Sequence, residues 1–230
     1  MQKFYFVILF SIFCNLLFAQ DEKALIKAVK TKMDKVADYK ANGRMSVDVS
    51  FINAPASNVI VYYKKPNQFK INKEGGISIL PKGGVSVNIN SLLTEGEYAV
   101  VPAGTMVIKG ITTKVIKLLP IAETSDIVLT TLYIDEKALL IRKATVTTKE
   151  NGSYEMELYF GKYATWGLPD KIVFLFNTKD YKMPKGLTLE YEKGSAKKEK
   201  TLQNKKGRVE VNYTNYIINK GISDKVFSEK

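Results

Sequence analysis

The sequence contains no histidine and a single cysteine, Cys14. Cys14 lies inside an N-terminal leader, so the mature chain holds neither residue type, which excludes thiol nucleophiles, disulfides, Ser-His-Asp triads and Cys/His zinc sites together. No metal and no cofactor are expected. Long apolar runs are missing too. The most sustained, Phe4 to Phe13, is far shorter than the roughly 20 residues that a membrane-spanning helix needs. Basic Lys3 before it and small Ala19 after it mark a secretory signal peptide. Residues 1–19 are therefore expected to be cleaved, leaving residues 20–230 as one exported domain large enough to bury its own core. Chemistry is left to carboxylates, lysines and hydroxyls. Glu155 with Glu157, and Glu190 with Glu192, each share a strand face as acid-base work would require. Exposed strands carry such pairs routinely, so no catalytic residue is assigned and the chain is read as non-enzymatic.

What the sequence has in excess is positive charge: Lys and Arg number 35 against 23 Asp and Glu, a formal net charge of +12. Outside the cytoplasm the abundant anions are lipid headgroups and acidic protein surfaces. A basic face therefore reads as transient attraction to an anionic membrane surface or an acidic partner protein, or as plain solvation, with no role for nucleic acid and a monomeric chain.

From Asp21 to Ala37, Leu25, Val29, Met33 and Val36 recur at helical spacing while Lys23, Lys27, Lys30, Lys32 and Lys35 fall mostly elsewhere. That is an amphipathic helix whose apolar stripe packs on a sheet. After Asn42-Gly43, a turn signal, Met45, Val47, Val49 and Phe51 alternate with Arg44, Ser46, Asp48 and Ser50, as in a strand with one wet face. Asn53 to Ser57 reads as a second turn, with Val59 to Lys64 returning. Further strands are expected at Val85–Ile89, Thr145–Lys149, Tyr154–Phe160, Lys171–Phe176, Leu187–Tyr191 and Arg208–Tyr213, with Asn151-Gly152 closing a hairpin. Residues 102–120 fit either a short helix or two strands, because Val107, Ile111, Val115 and Leu118 fall at helical intervals amid β-branched residues. Lys193 to Arg208 is a basic loop. About ten strands with short connections describe an α+β protein built on a large, curled antiparallel sheet.

One stretch is anomalous. The apolar alternation around Val61 and Tyr63 meets Lys64, Lys65 and Pro66 before Phe69 and Ile71 resume it, although proline removes a ladder donor and belongs at edges or bends. A leading helix, an alternating strand and then Lys64-Lys65-Pro66-Asn67-Gln68-Phe69 resembles the N-terminal half of the LolA-type outer-membrane lipoprotein carriers. Tyr163, the run Trp166-Gly167-Leu168-Pro169-Asp170-Lys171-Ile172 and the closing segment over residues 211–227 resemble the C-terminal half of the broader lipoprotein-sorting family.

The resemblance implies an unclosed, strongly curved antiparallel β-barrel, its concave face capped by N-terminal and central helices over an apolar cavity for acyl chains. Physical need points the same way: at roughly 0.8 kcal/mol per methylene, a chain of about ten methylenes costs near 8 kcal/mol to carry bare through water. The expected cavity residues are Leu25, Val29, Met33, Met45, Val47, Val49, Phe51 and Phe69. The alternation alone does not distinguish that cavity from a filled core. In the carriers the residue before the motif proline is typically an arginine that holds the lid closed. Lys65 stands in its place, as a lid latch or partner contact, and offers a point charge in place of a planar fork. The same lysine would also serve to keep a sheet edge from aggregating. The function so implied is a periplasmic carrier of lipid or lipoprotein acyl chains, the alternative being a protein-interaction or envelope-sensing module on the same scaffold.

Overall fold

The computed structural model describes residues 21–49, 52–73, 91–94, 97–150, 152–177 and 206–228. The expected leader, the strands expected at Val85–Ile89 and Leu187–Tyr191, most of the expected basic loop and the pair Glu190 and Glu192 lie outside them.

Helix α1 spans residues 21–33. It is followed by strands β1 (Asp38–Val49), β2 (Ile52–Lys64) and β3 (Gln68–Lys73), the one-turn helix α2 (Ser91–Thr94), and strands β4 (Tyr98–Ile108), β5 (Ile111–Pro120) and β6 (Ile127–Asp135). The chain continues through β7 (Leu140–Thr148), β8 (Ser153–Tyr159), a 3-10 turn (Ala164–Trp166), β9 (Lys171–Asn177), β10 (Lys206–Ile218) and the short helix α3 (Lys225–Ser228). The strands form one ten-stranded sheet in the order β3-β2-β1-β10-β9-β8-β7-β6-β5-β4. Every neighbouring pair is antiparallel. The sheet is unclosed, with β3 and β4 at its edges, yet it curls. Lys109, in the β4–β5 turn, reaches Glu157 on β8 at 2.9 Å, although β5 and β8 would stand about 14 Å apart in a flat sheet.

Two sequence-level turns prove to lie inside strands. Asn42-Gly43 sits mid-β1, where the register against β10 slips by a bulge. A Cβ on Gly43 would lie 2.6 Å from the Asn212 carbonyl oxygen, so glycine serves here to let β10 come close. Asn53 to Ser57 lies within β2, whose pairing with β1 continues to Val49 opposite Ile52 and absorbs the extra residue as a bulge. Residues 102–120 form strands, not a helix: Lys109 (φ 50°) and Gly110 (φ 82°) make a two-residue turn between Ile108 and Ile111. The central helical cap is instead α2, which sends Leu92 and Leu93 into the core. Pro66 occupies the turn joining β2 to β3, where its missing donor leaves the ladder intact.

Candidate lipid-binding face and its lid

Pairing register sets which side chains share the concave face. One row runs Ile116, Leu132, Ala144, Met156 and Phe174 across β5 to β9. A second crosses β10, β1, β2 and β3 through Tyr216, Ala41, Val61 and Ile71. α1 lies against this face. Leu25, Ile26, Val29, Met33 and Val36 are buried in the same cluster as the strand residues. The expected site residues fall as follows. Leu25, Val29 and Met33 on α1 and Met45 on β1 are buried in the cluster, and Val47 and Phe69 pack against it half-buried. Val49 ends β1 opposite Ile52 with its side chain undescribed, and Phe51 lies outside the described residues. A smaller hollow of about 140 Å³ opens at the rim beside the β4–β5 turn, lined mainly by Ile108, Ile111, Leu158 and Phe160 with Lys109 and Arg142.

α1 is tied down at both ends. At its start, the Lys114 ammonium on β5 sits 2.9 Å from Asp21, 3.2 Å from Glu22 and 3.6 Å from Glu136. Hydrogen bonding to Asp21 foremost, with Glu22 and Glu136 adding to it against the opposing effect of burial, pushes the Lys114 pKa well above the ordinary lysine range. Glu22 is only 2 % exposed, and its Oε2 has no hydrogen-bond partner among the described residues. Mid-helix, Lys32 donates to the Ala138 carbonyl at 2.7 Å.

At the far end Lys65 donates to the Asp34 carbonyl oxygen at 2.5 Å and lies 3.1 Å from the Asp34 carboxylate, while Lys30 reaches the same carboxylate at 2.9 Å. A cation at a helix C-terminus meets the negative end of the helix dipole and satisfies a carbonyl that has no intrahelical donor. Burial raises the Asp34 carboxyl, but hydrogen bonds from Lys30 and Lys65 outweigh it and hold the group below the usual range. The joint between α1 and β1 is also held by Asn219, whose Oδ1 accepts from Ala37 N–H at 2.7 Å and whose Nδ2 donates to the Lys35 carbonyl at 2.8 Å. Asp38 in turn accepts the N–H groups of Lys220 and Gly221, both at 3.1 Å.

Beneath this joint lies a tyrosine cluster. Tyr39 packs on Tyr63 and on Tyr216 with ring centres 5.3 Å apart in each case, and Tyr216 meets Tyr163 at 4.9 Å and Tyr213 at 5.0 Å. The Tyr216 hydroxyl donates to the Pro169 carbonyl at 2.8 Å. Burial drives the hydroxyl pKa values of Tyr39, Tyr213 and Tyr216 upward, so these rings stay neutral. The three separated segments that carry the family resemblance thus meet in one place. Gly167, at φ 69°, rests against the helix, its missing Cβ 3.7 Å from Met33 Cγ.

The sequence reading missed Lys114. Its signal was legible as a lone lysine on an otherwise apolar strand face with Ile116 and Leu118. The carboxylates weighed for acid-base work take another role: Glu155 pairs with Lys143 and Glu157 with Lys109.

Sequence comparison finds no matching family model and no matching curated protein. Solved structures do match. A domain described as an outer-membrane lipoprotein-sorting protein from Vibrio parahaemolyticus superposes with TM-score 0.51 at 11 % identity, covering 89 % of this chain and 95 % of the other. A DUF1329 family protein from Desulfovibrio piger gives 0.51 at 11 %, covering 90 % and 96 %. A LolA superfamily protein from Nitrosomonas europaea gives 0.51 at 12 %, covering 88 % and 97 %. At such identities the likeness is one of architecture. The open ten-stranded sheet with its N-terminal helix is the LolA-type fold.

Proposed function

We propose that this protein is a non-enzymatic, exported carrier that holds the acyl chains of a lipid or lipoprotein between the concave sheet face and α1, in the periplasm. The observation that carries this reading is the way α1 covers the sheet. It buries an apolar stripe on an apolar face, but its ends are fixed by polar contacts at the rim, so it is built to come away as a unit. On this reading Leu25, Val29 and Met33 occupy the space that hydrocarbon would take. Lifting the helix exposes Leu25, Ile26, Val29 and Met33, a cost on the order of 8 kcal/mol at about 2 kcal/mol per side chain. One acyl chain of about ten methylenes returns near 8 kcal/mol and only balances the cost, and a second exceeds it, which favours cargo with more than one chain. Among the described residues no helix is long and apolar enough to cross a membrane.

The test is titration of the mature chain with a dansyl-labelled fatty acid and a di-acylated lipopeptide. Saturable uptake is expected, with the di-acylated cargo binding more tightly and displacing the label. Failure of both ligands to bind, including to a Val29→Asp variant whose helix is loosened, would defeat the carrier reading.

A further inference from the structure

α1 has a second face, away from the sheet, and it forms one side of an open groove of about 740 Å³. Ala24 and Ala28 make a shallow floor, Leu139 of the β6–β7 turn stands opposite, and Lys27, Lys32 and Lys35 line the groove, with no carboxylate lining it among the described residues. Apart from Lys23, which lies outside the groove, these lysines differ from the others on and around the helix. Lys30 and Lys65 share Asp34, and Lys114 is surrounded by Asp21, Glu22 and Glu136. Lys27 and Lys35 are exposed, with no carboxylate partner among the described residues. Lys32 spends its ammonium on a backbone carbonyl. Burial, the charge of Lys35 and the charge of Arg142 hold its pKa down against the pull of Asp135, which is itself engaged by Arg142 at 2.7 Å. The groove therefore holds positive potential that no carboxylate among the described residues neutralises.

Shape selects among anions. Ala24 is exposed and Ala28 half-buried, so a chain segment lying along the groove covers both alanines while its carboxylates meet the flanking lysines. α1 advances about 9 Å from Lys27 to its end at Met33, with Lys35 in the turn just beyond, so an extended segment of roughly three or more residues spans the two lysines. We propose that this groove docks an acidic, extended segment of a partner protein, its carboxylates on Lys27 and Lys35 and its small or aliphatic side chains against Ala24, Ala28 and Leu139. The partner would then hold the lid itself and not the sheet. The inference stands apart from the carrier reading, since it needs no lipid.

The experiment uses the mature chain with a fluorescein-labelled hexapeptide of alternating glutamate and leucine, beside its glutamine counterpart, read by anisotropy at low and high salt. The acidic peptide is expected to bind about tenfold or more tightly than the neutral one, and to be released by salt. Combined Lys27→Glu and Lys35→Glu should lower that affinity by at least about tenfold, with the circular dichroism unchanged because both side chains are exposed. Lys225→Glu on α3 should leave binding intact. The proposal is overturned if neither peptide binds, if Lys225→Glu costs as much as the paired variant, or if the paired variant instead loses binding to phosphatidylglycerol vesicles while the peptide goes unbound, which would assign this face to lipid.

Discussion

The two ends of α1 are held by different physics. The start depends on charge: one lysine from β5 serves three carboxylates, one of them buried with an oxygen unsatisfied among the described residues. The far end depends on backbone hydrogen bonds, with Lys65, Asn219 and Asp38 tying residues 34–38 to the β2–β3 turn and to the segment after β10, above a packed tyrosine cluster. That end also runs directly into β1. On the carrier reading proposed above, the difference says which end would move. A helix held by charge at one end and by covalent continuity and hydrogen bonds at the other is expected to swing from its start, about a hinge near residues 34–38. Lys65, where the sequence resemblance put an arginine, would then steady the hinge, and Lys114 would be the contact to break.

The largest effect should come from Lys114→Met, which leaves Glu22 buried without its cation. A loss of about 2 kcal/mol is expected in denaturant unfolding, with amide exchange rising over residues 21–29 more than over 30–36. Adding Glu22→Gln should restore much of it. Equal exchange along the helix would remove the asymmetry.

Changing pH should separate the ends without mutation. The Asp34 pKa lies below its ordinary 3.8, so its contribution is whole above about pH 4 and fades as pH falls through the lowered value. The Lys114 pKa lies above its ordinary 10.5, so its contribution is whole below that value and fades only as pH climbs through the raised one. Acid is therefore expected to loosen the Asp34–Lys65 contact, while the Lys114 end outlasts the normal lysine range in alkali. Exchange measured across the pH range checks both limbs, and an α1 start freed by pH 10 would contradict the second.

The smallest effect is expected at Lys65. Lys65→Met should cost about 0.5 kcal/mol, since both partners are well exposed, and should raise exchange over residues 30–36 only. A loss there exceeding that of Lys114→Met, or exchange rising first at residue 21, would reverse the assignment of hinge and latch.

The sheet was largely legible in the sequence because one-sided burial imposes a period of two, which held at Met45 and Val47 and at Tyr154, Met156 and Leu158. Turn signals were less faithful. Asn42-Gly43 and Pro55 read as reversals, yet the chain passes straight through both, because close approach of β10 and a bulge also call for such residues. Val107, Ile111, Val115 and Leu118 matched a helix by coincidence of spacing; the paired positive φ angles at Lys109 and Gly110 divide them into two strands. Lys65 was visible because it interrupts a strand pattern beside a proline. Lys114 left only the trace of a lone lysine on an apolar strand face, since its carboxylates lie far away in the chain, at Asp21, Glu22 and Glu136. Sequence order also concealed that Tyr39, Tyr63, Tyr163, Tyr213 and Tyr216 would converge.

The glycine on which Met33 rests has the chain's only tryptophan, Trp166, as its neighbour. At 39 % exposure the indole already straddles solvent and protein, so the molecule carries its own optical gauge. When the helix leaves Gly167 the emission should drift to longer wavelength, and the rate of that drift gives the opening speed with no dye attached.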